Sequence, residues 1–216
     1  MFQVFSEEEL NPKTAAILQD QVSEFISDIS AQTVPAQILA SLNKQNETLA
    51  EHSVNVANIS VYIALALGNA HQLVLENVYL GALFHDFAKS KIPSKVLENK
   101  DTKAYEKAFY EHPKKGASLI KLLPGIPEQV LTIIAQHHEQ FDGKGFPKAL
   151  EDKEIYELSQ IVSIANVFDN VCRENSQRAK REMYKQALKI LEYDRGKQFS
   201  PTFIKPVIEA LRLAYR

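Results

Sequence analysis

Residues 70–87 read AHQLVLENVYLGALFHDF. Leu73, Val74, Val78, Ala82 and Leu83 recur at helical spacing, so the stretch predicts one helix with an apolar face. It closes on His85-Asp86, two side chains that dislike burial, placed where the helix faces a core. The same period governs the chain on both sides. Upstream, a helix is predicted from about residue 47 to 67, with Gly68 as its stop. Before it, Pro35 opens a shorter helix carrying Ile38, Leu39 and Leu42. Asn11-Pro12 reads as an N-cap followed by proline at the first helical position, ahead of a stripe of Leu18, Val22, Phe25, Ile26 and Ile29. Downstream, Ile92-Pro93 breaks the pattern and a charged stretch runs from Lys95 to Lys107. Pro113 fits the start of a helix holding Leu119, Ile120 and Leu123. Val130, Leu131, Ile133 and Ile134 lie on a helix that reaches His137, and residues 142–147 form a glycine-bearing loop. Leu158, Ile161, Val162, Ala165 and Phe168 mark a further helix, and two more are predicted around residues 183–191 and 203–215.

No stretch alternates with period two, and no repeat or linker interrupts the chain. The fold class is therefore all-α, a single-domain helical bundle, with residues 1–45 as an N-terminal helical extension and 46–216 as the main domain. Seven glycines in 216 residues agree with helices rather than turn-rich strands. The net charge of −2 offers no basic surface for duplex nucleic acid. The single Cys172 forms no internal disulfide, which fits a reducing cytoplasm, and it reads as a small packing residue. Glu7, Glu8 and Glu9 rule out a secretory signal at the first ten residues. The longest apolar run, Val61 to Leu67, falls far short of the roughly 20 residues that span a bilayer, so no membrane association is expected.

Five of the six histidines carry the chemistry. A carboxylate buried beside His85 needs a compensating partner, and a divalent cation is one. His137 and His138 are adjacent, about 100° apart on a helix, so both can face one ion only at a helix end or bend. Imidazole together with carboxylate suits Zn, Fe, Mn or Ni. His71 belongs to no such group and reads as a surface or capping residue.

His85-Asp86-Phe87-Ala88-Lys89 resembles the His-Asp-x-Gly-Lys motif of the HD superfamily of metal-dependent phosphohydrolases. His112-Pro113-Lys114-Lys115-Gly116 is similar to its His-Pro-x-x-Gly. His137 to Pro147 is similar to the His-His-Glu-x-x-Asp-Gly-x-Gly-Tyr-Pro signature of the HD-GYP subfamily, the cyclic di-GMP phosphodiesterases. Residues 161–170 and 196–201 resemble that subfamily's later helix and closing turn, so the main domain looks like an HD-GYP-type helical bundle. The resemblance implies two divalent metal ions (Fe, Mn, Zn or Ni) bridged by Asp86. His52, His85 and Asn166 would hold one, and His112, His137 and His138 the other. It implies hydrolysis of a cyclic dinucleotide, cyclic di-GMP, to pGpG or GMP, with Asp86 and Lys89 as catalytic residues. The substrate side falls to Lys89, Lys144, Phe146, Asp169 and Arg173. A diguanylate cyclase or other signalling protein as partner, and a homodimer, are compatible with the family. With about 45 residues before the catalytic region, regulation is expected from a partner, dimerisation or expression.

Several positions depart from the family pattern. Asn166 stands where the family has a metal-binding Asp, with Asp169 one helical turn on as the nearest substitute. Phe146 replaces the signature Tyr, and Ala88 a Gly. Thr48 occupies the place of the Glu found in three-metal members, which argues for two metals. The downstream phosphate-gripping Arg falls near Asn175, with Arg173 and Arg178 close by. These changes support an alternative: a catalytically degenerate module that binds metal and nucleotide, or a protein partner, without turnover.

Overall fold

A computed structural model describes residues 11–30 and 48–215. Among them, nine α-helices follow one another with no strand, only isolated bridges. They are α1 (Pro12–Ser30), α2 (Leu49–Ala66), α3 (Gln72–Phe84), α4 (Ser94–Leu97), α5 (Lys103–Ile120), α6 (Glu128–Gln136), α7 (Glu157–Glu174), α8 (Lys180–Tyr193) and α9 (Pro201–Ala214). The helix predicted at Pro35 lies outside the described residues. No described helix is long and apolar enough to cross a membrane.

The centre of the bundle is α2. Its residues are buried almost all round, so it has no solvent face to keep polar. It packs against α3 and α7, and α3 in turn packs against α1 and α6. Gly81 permits the last contact: a Cβ there would lie 2.6 Å from Ile133. Leu18, Val22, Ile26 and Ile29 turn α1 into the same core, where Phe25 meets Tyr79. Asn11 caps α1, accepting from the Thr14 N–H at 2.9 Å. Thr48 caps α2 in a reciprocal box: it accepts from the Glu51 N–H, and the Glu51 carboxylate accepts from the Thr48 N–H. The position where three-metal members carry Glu thus has a local capping task here.

Two sequence expectations change. The helix through residues 70–87 stops at Phe84, and a short 3₁₀ turn spans Phe87–Lys91. His85-Asp86 therefore sits in the junction, not on the helix face. The second change concerns Pro113, which does not start its helix. Thr102 does, as a cap accepting from the Tyr105 N–H, and Pro113 lies two turns from the far end. The charged residues before it form the solvent side of that helix, so their apolar stripe is thin and reads poorly in sequence.

Candidate metal centre

Four histidines converge on one carboxylate. Asp86 Oδ1 lies 3.1 Å from His112 Nε2 and 3.7 Å from His137 Nε2. Asp86 Oδ2 lies 3.5 Å from His85 Nε2 and 3.8 Å from His52 Nε2. Each carboxylate oxygen thus faces its own pair of rings. All five side chains are buried.

The ring orientations follow from the backbone. A helix leaves its last carbonyls without partners. His85 follows the end of α3 and donates Nδ1–H to Ala82 O at 2.6 Å. His137 follows the end of α6 and donates Nδ1–H to Ile134 O at 2.8 Å. His112 is inside α5, where carbonyls are normally taken. Pro113, next along, has no N–H to offer the carbonyl four residues back. That carbonyl is Phe109 O, and His112 Nδ1 donates to it at 2.5 Å. His52, within α2, donates Nδ1–H instead to Asp169 Oδ2 at 2.7 Å, while Asn55 donates to Asp169 Oδ1 at 3.2 Å.

A carbonyl only accepts, so Nδ1 carries the proton in His85, His112 and His137. Burial pushes the His112 ring below its ordinary value, and pushes His137 down to about 3. Both rings are neutral near neutral pH, with Nε2 as a bare lone pair. These two lone pairs stand 3.1 Å apart, beside Asp86 Oδ1, which accepts no hydrogen bond. His85 Nε2 and His138 Nε2 are likewise shielded from solvent without a partner. Burial works against the charge on Asp86, yet the Lys89 ammonium bonded to it outweighs burial and holds the carboxyl well below the usual carboxylate range. An anion ringed by lone pairs is repulsive unless a cation lies between them. The donor set therefore fits divalent metal: Asp86, His112, His137 and His138 form one candidate group, and His52, His85 and Asp86 another.

Comparisons with known proteins agree with this arrangement. The profile described as "HD domain" matches residues 33–203. The chain belongs to the HD-domain family. It is 29% identical over 72% of its length to a cyclic di-GMP phosphodiesterase of Pseudomonas aeruginosa, covering 39% of that protein. It is 28% identical over 93% of its length to the cyclic di-GMP phosphodiesterase response regulator RpfG of Xanthomonas campestris, covering 58% of it. The chain thus spans about half the length of these curated relatives. An HDG"Y"P protein from Bdellovibrio bacteriovorus shares the fold with a TM-score of 0.78 at 24% identity, over 97% of this chain and 67% of that one.

Within the HD domain, the remaining predicted residues fall into distinct places. Lys89 Nζ bonds Asp86 Oδ2 at 2.7 Å and is partly exposed. Phe146 stacks on His138, with ring centroids 4.5 Å apart and 17° between planes. Asn166 is buried on α7, and its Oδ1 accepts from Asn170 at 2.7 Å. Asp169, one turn on, stands behind His52, its oxygens turned to His52 and Asn55. Arg173 is exposed in the last turn of α7, and Lys144 is exposed and paired with Asp142 at 2.9 Å. Ala88 is buried beside Gly116, where a Cβ would stand at an ordinary contact distance of 3.8 Å from Ala88 Cβ but only 3.1 Å from Ile134 Cγ2.

Three contributors escaped the sequence reading. Buried Glu139 braces the glycine loop by accepting from the Lys148 N–H at 2.8 Å and the Leu150 N–H at 2.9 Å. Phe109 supplies both the carbonyl under His112 and a ring 5.3 Å from His138. Tyr110 touches Phe146 at 4.8 Å. Glu139 was visible as part of the His-His-Glu signature, whereas Phe109 and Tyr110 carried no signal beyond being aromatic.

Proposed function

We propose that this HD domain is a metal-dependent phosphodiesterase that opens cyclic di-GMP to pGpG or GMP at a two-metal centre. The observation that carries it is the bridging posture of Asp86, with Oδ1 toward His112 and His137 and Oδ2 toward His52 and His85. His52, His85 and Asp86 would hold one ion, with Asn166 on the same helix as Asp169. Asp86, His112, His137 and His138 would hold the other. Bound divalent ions in such a centre supply an activated water and neutralise charge on the phosphodiester. The protein's own part is positional. Burial keeps His112, His137 and His138 below their ordinary values, so their rings stay neutral at neutral pH. Lys89 is a partly exposed point charge held against the carboxylate, suited to take a phosphate oxygen as substrate arrives. Lys144, exposed on the loop, adds local attraction for an anion. The curated relatives named as cyclic di-GMP phosphodiesterases support the substrate.

The alternative, a module that binds without turnover, draws on one observation: Asn166 brings no charge, and its Oδ1 is already engaged by Asn170. One experiment separates the two. Metal per chain is measured on protein purified anaerobically, which is then incubated with cyclic di-GMP and Mn or Fe(II), and the products are chromatographed. Appearance of pGpG or GMP supports the phosphodiesterase. Bound metal without either product overturns it in favour of the binding module.

A further inference from the structure

An aromatic ridge leads from the histidine cluster to solvent. The ring of His112 lies 5.0 Å from that of His138, which is stacked under Phe146 at 4.5 Å. Phe146 meets Tyr110 at 4.8 Å, and Phe109 fills the angle between them, 5.3 Å from Phe146. Tyr110 ends the ridge and is 51% exposed, with Phe109 and Phe146 against its ring. Lys107 and Lys114 lie three and four residues to either side of Tyr110, on the same exposed face of α5. Neither closes an ion pair among the described residues, since Lys115 is the one that takes Glu111, at 2.8 Å.

We infer that this ridge is the base-binding subsite of the enzyme: a nucleobase of the substrate stacks on the exposed ring of Tyr110, with Phe146 turned 70° to it as the flanking wall, while its phosphodiester lies at Asp86. The inference rests on the phosphodiesterase reading and adds where the base goes. Three features support it. The ridge runs ring to ring from His112 and His138 of the metal centre through Phe146 to Tyr110. An exposed ring backed by other rings presents a rigid π-face, and base–aromatic stacking contributes about 1–3 kcal/mol per base. Lys107 and Lys114, which share Glu111 as an acidic neighbour with Lys115, leave a positive excess that favours a polyanion over a neutral aromatic. Stacking reads a face and not an edge, so the ridge favours any purine and does not itself tell guanine from adenine.

The test uses the metal-loaded full chain and a cyclic dinucleotide in which one base is 2-aminopurine, whose fluorescence is quenched on stacking. Quenching on binding is expected. Tyr110→Ala should weaken binding ~5–150-fold and lose most of the quench. Tyr110→Phe should keep both within about twofold, because the ring and not the hydroxyl does the stacking. Binding without quenching, or an unchanged Kd in Tyr110→Ala, overturns the inference, as does failure of the probe to bind. The outcomes are separable from those for turnover. A quenched, Tyr110-dependent complex that yields no product upholds the subsite and removes the phosphodiesterase. Product formation indifferent to Tyr110→Ala does the reverse.

Discussion

Pro113→Ala should make the protein more stable and its metal weaker. Proline in a helix interior costs about 3 kcal/mol relative to alanine. Pro113 is buried, so the substitution also removes two packed methylenes at about 0.8 kcal/mol each. About 1.4 kcal/mol remains in favour of the variant, which for a chain of this size raises Tm by ~3–6 °C. The restored N–H at that position now competes for Phe109 O, the acceptor that holds His112 Nδ1 at 2.5 Å. A metal-binding histidine that loses its outer hydrogen bond typically weakens the metal 10–100-fold, about 1.4–2.8 kcal/mol. The two effects have opposite signs, so general damage cannot mimic them. Thermal unfolding of chelator-treated protein gives the first, and competition with a chromophoric chelator gives the second. A higher Tm with unchanged metal affinity would show that Phe109 O does not position His112, and a lower Tm would show that the proline is favourable where it stands.

Other consequences follow from the same geometry. Metal-free protein should lose stability as pH falls from 7.5 to 5.5. The unfolded chain takes up a proton on His137 near the ordinary 6.5, while the folded chain refuses it until about 3. Between those values the unfolded state binds more protons and acid favours it, by about 1.4 kcal/mol at pH 5.5 for this one ring. His112 and His138 are displaced in the same direction, so urea midpoints that stay flat across the range would contradict the neutral cluster. Asp169→Ala removes the acceptor behind His52, and metal affinity should fall ~10–100-fold in the same competition assay; no change would mean that His52 holds its orientation without it. Asn166→Asp should tighten metal binding, and unchanged metal content would show that Asn166 is not the weak point. Glu139→Gln keeps the shape but leaves one acceptor oxygen for two loop N–H groups, because the amide nitrogen in place of the other oxygen only donates; the orphaned N–H should cost about 1–3 kcal/mol and speed proteolysis within residues 142–150. Wild-type cleavage rates there would refute the brace.

The helices and the histidine cluster were largely legible. Ligand chemistry restricts the residue types, so His52, His85, Asp86, His112, His137 and His138 stood out before any geometry, and the structure brings them together. Their supports were not legible. Asn166 and Asp169 are one turn apart on α7, and only the packing of that helix on α2 decides which of them reaches His52. Proline is commoner at a helix start than inside one, so Pro113 suggested a boundary that the Thr102 cap in fact provides. Phe109 and Tyr110 looked like ordinary helix aromatics until the loop after His138 folded back and set Phe146 against them.

One rule accounts for how the rings are aimed. Three of the four rings that face Asp86 donate to a carbonyl three residues back, and each of those carbonyls lacks the N–H donor four residues on, though Ala82 O also takes the His85 N–H at a long 3.4 Å. For His85 and His137 the helix ends there, and for His112 a proline removes the competing donor. Their orientation is local and survives some loosening of the bundle. His52 has no such carbonyl, because α2 continues unbroken past it to Ala66. Its acceptor must come from another element, and Asp169 of α7 provides it across 117 residues of sequence. The His52 side of the centre therefore depends on the α2–α7 contact in a way the His112 side does not. Any strain that shifts α7 acts first on His52, and through it on the group formed with His85 and Asp86.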